Sequence, residues 1–507
     1  MGVHLMKVLL ATLSIESESR NDNDYDAPYS LGLAYLYSVL ESAGHSVRLL
    51  FLNNVDQRVS EEAFFRAAEE FSPDVVGFQV FSMTRVSTFA AMEKLHARFP
   101  DIKVVLGGVH ASIMYSQILE KFRYPVAVLG EGEITFRELL EAFEGKRDIS
   151  GVAGLAYWDA RVRTTASRPL VENLDSLPDP RHEVFFDAEL ARTVAHIVSS
   201  RGCPFDCSFC CLKAISRRRY RTRSIGRVVA EIKRLKTSYP RLKTVQFHDD
   251  TFLLDNARVI EFCRLMMKEN LGLNFICSAR VKPVSADMFG WMKKAGFTKV
   301  MFGLETGSEK LLDSIHKRIT KADVINLFRT IKPYDFNVTT FLMCGFPGET
   351  ADTVRETVEL VQVTQKISYN IVAGIGKLWV YPGTEVYEVM KKAGAINDDF
   401  WLTDAQVPYF TVDHDLPSLV RFEDEMMDSL SYMRIFTRRG FVRHFLKMPL
   451  AVAGALLKKR NRRLLFAALA YPIRVHFPDL YRRLFFTYRR FRAWLVERGS
   501  PPVPGER

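Results

Sequence analysis

The 507-residue sequence predicts an α/β protein: a doubly wound first domain, a full or partial βα barrel, and a helical C-terminal region. Three observations carry this reading. Short apolar runs alternate with amphipathic, helix-length segments from the start to about residue 415, and such alternation implies parallel βα units. A hairpin and Pro-rich connector interrupt the alternation once. After about Asp415 the strand signals stop. The expected units are 1–148, doubly wound; 149–195, hairpin and linker; 196–415, βα barrel; and 416–507, helical and basic.

In the first unit, "KVLLATL" (Lys7–Leu13) reads as a buried strand, and Tyr29–Ala43 as an amphipathic helix with Gly44 after it. Strand "SVRLLFL", helix Ser60–Phe71, strand "DVVGFQV", helix Val86–Phe99, strands "KVVLGG" and "VAVLG", and helix Ile134–Phe143 follow. Doubly wound sheets bind ligands at the carboxyl ends of their strands. Here those ends are "FQVFSMT", "LGGVHAS" and "LGEGE". No G-x-G-x-x-G follows the first strand, which argues against a dinucleotide. In the linker, "GLAYWDARVRTT" reads as a hairpin turning at Asp159-Ala160. Barrel strands are expected near His196–Ser199, Thr244–His248, Asn274–Ser278, Lys299–Gly303, Val338–Cys344 and Asn370–Val380.

The composition, 48% hydrophobic and 25% charged, is that of a globular chain. No run of about 18 uncharged apolar residues is present, so no transmembrane helix is expected. The first residues lack a signal-peptide cleavage pattern. The expected compartment is the cytoplasm, where clustered cysteines favour metal or redox chemistry over disulfides. Charge is uneven: 18 Lys and Arg against 3 Asp and Glu from Arg434 to Arg507, leaving 52 against 56 before them.

Four of the seven cysteines lie in "SSRGCPFDCSFCCLK" (Ser199–Lys213). Cys203, Cys207 and Cys210 are spaced C-x3-C-x2-C, just after the first barrel strand, on the face where barrels place their chemistry. Structural zinc takes four closed ligands, usually in two pairs, and no second C-x2-C exists here. Three thiolates suit an iron–sulfur cluster with one iron left open. Cys211 reads as a bystander, and Cys263, Cys277 and Cys344 as small apolar core residues.

This motif, with Phe209 before its last cysteine, resembles the signature of the radical S-adenosylmethionine (SAM) enzymes. The resemblance implies that Cys203, Cys207 and Cys210 hold a 4Fe–4S cluster. It implies that an electron from the cluster cleaves SAM to methionine and a 5′-deoxyadenosyl radical. "FHDD" resembles the family's segment that accepts from the SAM amino group, giving Asp249 and Asp250; a helix N-cap is the plainer reading. Arg280 in "SARV" is placed at the SAM carboxylate, and Glu305 in "FGLETGSEKLL" at the ribose, with surface salt bridges as the alternative. Gly345 and Gly348 in "MCGFPGET", and Gly383 in "VYPGTEVY", are expected to let backbone approach the adenosyl group, or simply to make turns.

A doubly wound domain directly before such a barrel resembles the cobalamin-binding domain of the cobalamin-dependent subclass. The segments "SLGLAYLYSVLESAGHSV", "VVLGGVHAS" and "VLGEGEITFRELL" carry that likeness. It implies cobalamin contacts at Gly107, Gly108, His110, Gly130 and Glu131, with Ser82 and Thr84 near the corrin ring. One departure stands out. The first loop, "IESESRNDNDYDAPYSLG", lacks the D-x-H-x-x-G histidine that many cobalamin domains donate to cobalt. A scaffold that has lost cobalamin is the other reading.

The tail interleaves Arg and Lys with Phe, Leu, Tyr and Trp, as in "DLYRRLFFTYRRFRAWLV". Basic amphipathic helices of this kind read as membrane-surface segments. RNA binding and a helical subdomain with a solvated basic face are the alternatives, nucleic acid the least favoured. The expected protein is a cytoplasmic enzyme, peripheral on the inner membrane face, that methylates an unactivated carbon of a small hydrophobic substrate. It would draw on an electron donor such as flavodoxin or ferredoxin. Radical cyclisation, rearrangement or oxidation without net methylation is the rival within the class. A zinc-stabilised membrane- or RNA-associated binding protein is the rival outside it.

Overall fold

The computed structural model describes residues 5–15, 29–52, 57–185, 192–368 and 371–429. Most of the histidine-poor first loop and the basic tail beyond residue 429 lie outside these residues.

The first sheet has seven strands: β1 (Lys7–Thr12), β2 (Ser46–Phe51), β3 (Val75–Gln79), β4 (Lys103–Gly107), β5 (Val126–Val128), β6 (Leu155–Asp159) and β7 (Arg161–Thr164). Their order is β2-β1-β3-β4-β5-β6-β7. The first five pair in parallel, and β1 is buried from Val8 to Thr12, as a strand covered on both faces must be. The hairpin β6–β7 adds two antiparallel strands to this sheet. It therefore extends the first domain instead of standing in a connector. Helices α1 (Leu31–Ser42), α2 (Gln57–Phe71), α3 (Arg85–Arg98), α4 (Val109–Phe122) and α5 (Gly132–Phe143) join the strands. Ser30 caps α1 by accepting from the Leu33 amide at 3.2 Å. The sequence reading missed α4. "VHASIMYSQILEKF" mixes β-branched and aromatic residues and has no side-chain cap, because Gly108 opens the helix at φ +91°. A Cβ on Gly108 would lie 2.8 Å from the Val80 carbonyl, so only glycine fits this turn.

The second sheet consists of β8 (Val194–Ile197), β11 (Thr244–Phe247), β12 (Asn274–Ala279), β13 (Phe297–Glu305), β14 (Asn337–Cys344) and β15 (Ile371–Lys377), after a small ladder of β9 (Ser200–Arg201) with β10 (Arg221–Thr222). The six strands lie in chain order and all pair in parallel. Among the described residues nothing pairs β15 back to β8, so the barrel is partial. The intervening helices are α6 (Leu212–Ser216), α7 (Ile225–Ser238), α8 (Asn256–Glu269), α9 (Ala286–Ala295), α10 (Glu309–Ser314), α11 (Lys321–Ile331) and α12 (Ala351–Ile367), with α13 (Glu385–Lys392) beyond β15. The outward faces of the strands meet the helices in one core. That core holds Phe247, Phe262, Phe275 and Phe297 together with Cys263, Cys277 and Cys344, the three cysteines read as apolar filler.

A second core is shared between the domains. Leu9, Phe78, Leu106 and Ile118 of the first pack with Ile315, Phe346, Tyr387 and Trp401 of the second. Gly383 belongs to this contact. A Cβ there would lie 2.8 Å from Ile113 Cδ1, so its role is to admit α4 of the first domain. The final described helix, α14 (Leu416–Ser429), packs Leu419 and Met426 onto the barrel and pairs Glu423 with Lys377. Among the described residues no helix is long and apolar enough to cross a membrane.

Candidate active site between the two domains

The cysteine loop leaves β9 through Gly202, whose φ is +86° and whose Cβ would sit 2.1 Å from the Arg219 carbonyl. Glycine is thus obligatory one residue before Cys203. Cys207 is buried, and Cys203 and Cys210 are partly so. The segment after α10 clamps the loop. Ile315 O accepts from the Ser208 amide at 3.1 Å, and Arg318 pairs with Asp206 at 2.8 Å. From the other side the Glu385 amide donates to Ser208 O at 2.9 Å, and the Glu385 carboxylate pairs with Lys213. None of these clamps has a sequence motif, and the sequence reading did not find them. Burial pushes the Cys203 thiol up and the Cys210 thiol up to about 12, with neighbouring thiols adding to it. A bound metal's positive charge is what displaces such protons. Among the described residues no three His, Cys, Asp or Glu side chains converge on a single ion. Corner thiolates of a larger cluster need no such convergence.

The expected SAM contacts divide. Asp249 is buried beneath β8, and its carboxylate accepts from the Ser199 amide (2.7 Å), Ser199 Oγ (2.6 Å) and Ser200 Oγ (2.5 Å). It holds the strand ends together and does not face the open space, which corrects its expected role. Asp250 does face the cavity between the domains, and accepts from the Gly202 amide at 2.9 Å. Surrounding protein, with Asp249 beside it, pushes the Asp250 carboxyl up to about 6. His248 lines the same cavity, its Nε2 2.8 Å from His196 Nδ1. The sequence reading gave this imidazole no role. Glu305 is paired with buried Lys317 at 2.7 Å, and Arg280 Nη1 lies 3.3 Å from Cys207 Sγ.

Gly345 and Gly348 do not present free amides. Gly345 and Phe346 donate to the Glu349 carboxylate at 2.5 and 3.1 Å, and Gly348 donates to Asp413 at 2.6 Å. A Cβ on Gly345 would meet Leu419 of α14 at 2.9 Å. Gly345 thus serves the packing of α14 and Gly348 the bond to Asp413 ahead of it, which corrects their expected place at the adenosyl group. Burial raises the Glu349 carboxyl to about 7 against those two amides. Because its folded pKa lies above its unfolded value, the folded state holds the proton more tightly. Stability then falls as pH rises from about 4.5 to about 7, by up to about 3 kcal/mol. A Glu349→Gln variant should lose that part of the pH dependence in urea denaturation between pH 5 and 8.

A cavity of about 360 Å³ opens between the domains. Its first-domain wall runs along the carboxyl ends of β1, β3, β4 and β5 and under α1 and α5, through Leu10, Gly77, Gly107, Gly130 and Phe136. Strand order reverses at β1/β3, which is where doubly wound sheets bind ligands. A Cβ on Gly107 or Gly130 would meet nothing within 4 Å, so both open onto space. Gly108 lines the cavity too, but its backbone packs on Val80. Ser82, Thr84 and His110 are corrected. They are not among the cavity-lining residues. His110 sits in the first turn of α4, buried beside Trp401, with Nδ1 2.9 Å from Ser82 Oγ. Burial, then Arg85, lowers its pKa to about 3. Thr84 caps its own turn by accepting from the Phe81 amide at 3.0 Å.

Glu131 reaches the cavity wall but is already engaged. It takes both Arg221 nitrogens at 2.9 Å, lies 3.3 Å from Arg201, and accepts from the Val171 amide at 3.0 Å. Burial opposes its ionisation, but the Arg221 bonds and the Arg201 charge outweigh it and hold the carboxyl below its usual range. This network ties α5 to the β9–β10 ladder. Glu131→Gln leaves Arg221 half-paired in a 5%-exposed site. It should cost about 3 kcal/mol, read as a lower urea midpoint.

A radical SAM superfamily model matches residues 197–361, and a B12 binding domain model matches residues 24–140. The chain belongs to the cobalamin-binding radical SAM enzymes. An uncharacterized methyltransferase of Pyrococcus horikoshii is 29% identical over 91% of this chain and 98% of its own. The anaerobic magnesium-protoporphyrin IX monomethyl ester cyclase of Rubrivivax gelatinosus is 28% identical over 65% of this chain and 61% of its own. The cobalamin-dependent SAM radical enzyme OxsB has the same fold, with a TM-score of 0.70 over 96% of this chain and 76% of its own, at 16% identity. The cofactors of this radical SAM enzyme are a 4Fe–4S cluster, SAM and cobalamin. Its residues fit them. Three clamped thiols would suit the cluster as its donor set, and Gly107 and Gly130 leave an open cradle in an apolar wall.

Proposed function

We propose that this radical SAM enzyme methylates an unactivated carbon of a hydrophobic substrate of lipid, isoprenoid or tetrapyrrole type. One observation carries the reading: a single cavity is walled by Gly107 and Gly130 on the cobalamin side and by His248 and Asp250 on the barrel side. When bound, cluster and SAM supply hydrogen abstraction, and cobalamin supplies a methyl donor. The chain's part is to hold these groups in line and to exclude water. Asp250, whose carboxylate faces the cavity, suits a role as acceptor for the SAM amino group. Glu305, neutralised by Lys317, suits a fixed acceptor at the ribose.

The barrel interior supports a hydrophobic substrate. Alternation places Ile276, Met301, Phe341 and Met343 on the inner face, opposite the helix-packed residues. On β15, Gly374 and Gly376 fall on that face, because Ala373 and Ile375 pack outward. Phe341, 43% exposed, presents apolar surface on that inner face. The methyltransferase relative, matched almost end to end, favours methylation. The cyclase relative supports the second reading, ring formation or oxidation without net methylation. A one-electron donor such as flavodoxin or ferredoxin, and a basic tail seated on the inner membrane face, complete the proposal.

The test is to incubate the anaerobically reconstituted enzyme with a cellular lipid extract and SAM carrying a deuterated methyl. A product bearing one labelled methyl is the expected result. A product that has lost hydrogens and carries no label would establish the second reading instead.

A further inference from the structure

Arg280 leaves the end of β12 and lies against the cysteine loop. Its guanidinium stacks 3.8 Å from the centre of the Phe205 ring, in the middle of the C-x3-C segment. Nη2 donates to the Lys317 carbonyl, and Nη1 points at Cys207 Sγ from 3.3 Å. The residue is buried, and Nε has no partner among the described residues. No carboxylate pairs with it among those residues. The neighbouring cation differs: Lys317 is neutralised by Glu305 at 2.7 Å. Arg280 is therefore an uncompensated positive charge with a donor aimed at a cluster ligand. Asp250, near Cys203, is the opposing charge on that side.

We propose that Arg280 is a positioning residue that raises the reduction potential of the 4Fe–4S cluster through its N–H···S bond to Cys207. This is distinct from pairing with the SAM carboxylate, and it rests on the cluster assignment. Reduction takes one electron from an external one-electron donor into the cluster, with no bond made or broken. The added charge spreads over the sulfurs. Hydrogen bonds to those sulfurs and nearby positive charge stabilise the reduced form, which is how a protein sets such potentials. The Phe205 stack and the Lys317 carbonyl fix the guanidinium, so the donor is pre-organised.

The test is a redox titration of the full chain, reconstituted without oxygen, with dithionite as reductant and the EPR signal of the reduced cluster as readout. SAM is omitted first and then added. In Arg280→Gln the midpoint without SAM should move negative by a factor of about ten in the reduction equilibrium, about 59 mV for one electron. Arg280→Lys, which keeps charge but loses the planar fork, should move less. So should Phe205→Leu, which keeps Arg280 but removes its stack. A native midpoint in Arg280→Gln without SAM, together with weakened SAM binding, would show that Arg280 serves only SAM and overturn the proposal. If Arg280→Gln fails to assemble a cluster, native midpoints in both other variants overturn it. Iron and sulfide analysis of the unaltered chain stands apart: protein without iron sinks the cluster assignment itself.

Discussion

A Cys207→Ala variant, purified and reconstituted without oxygen, is expected to retain almost no cluster and to cleave no SAM. Cys207 is the middle thiol of the triad and the buried one. Its loop is held from two sides by Ile315, Arg318 and Glu385, so no other side chain can swing into its place. Cys211 offers a thiol nearby. It stands at the N-terminus of α6, adjacent to Cys210, and successive residues do not face the same way. Iron should fall from about four per chain to a small residue, since the remaining two thiolates leave the cluster a ligand short. The loop itself should survive, because its shape rests on Gly202 and backbone bonds. Far-UV circular dichroism and the urea midpoint are the checks. Full iron content in Cys207→Ala would mean that the metal sits elsewhere. By the same logic Cys211→Ala should keep its iron.

The second large effect is expected from filling the first-domain cradle. Gly107→Phe projects a ring into the cavity where a Cβ meets nothing within 4 Å, and Gly107 has no left-handed backbone to forbid a side chain. The fold should tolerate it. Cobalamin should not. The ring would occupy much of the apolar wall between β4 and α5, and bound cobalamin after gel filtration should drop more than tenfold, about 1.4 kcal/mol or more. Cluster iron should stay unchanged, because the cysteine loop belongs to the other domain. Gly108→Phe is the contrast: it drives a Cβ against the Val80 carbonyl at φ +91°, and should lower stability before it touches binding. Equal cobalamin content in Gly107→Phe and the unaltered protein would place the cofactor outside this cavity.

The residues that were legible in the sequence share one property: their chemistry is local. The C-x3-C-x2-C spacing needs no tertiary knowledge, and neither does the βα alternation, whose strands fall within a few residues of their expected places. Asp250 follows β11 by three residues and lines the cavity, a position the local strand–loop pattern makes readable. Its neighbour Asp249 failed for the same local reason. Consecutive residues after a strand point to opposite sides, and only one of the two can face the cavity. His110 failed because α4 was not seen: in a loop it would be free to reach a ligand, but in a helical first turn it is carried into the core. Ser82 and Thr84 failed with it, since they bond to that turn and to their own loop.

Composition, periodicity and cysteine spacing were enough to determine an α/β chain of two βα units and a three-thiol centre at the head of the second. They do so because hydrophobic period and thiol geometry act over a few residues. The tertiary structure alone decided which carboxylates stand in ion pairs, as Glu131 does with Arg221 and Glu305 with Lys317. It alone set the shared core that holds the domains face to face, and with it the cavity between them. It alone brought Arg280 and the 315–318 segment onto the cysteine loop. Those contacts join residues as far apart in the chain as His110 and Trp401, where no local pattern records the partner and only packing selects it.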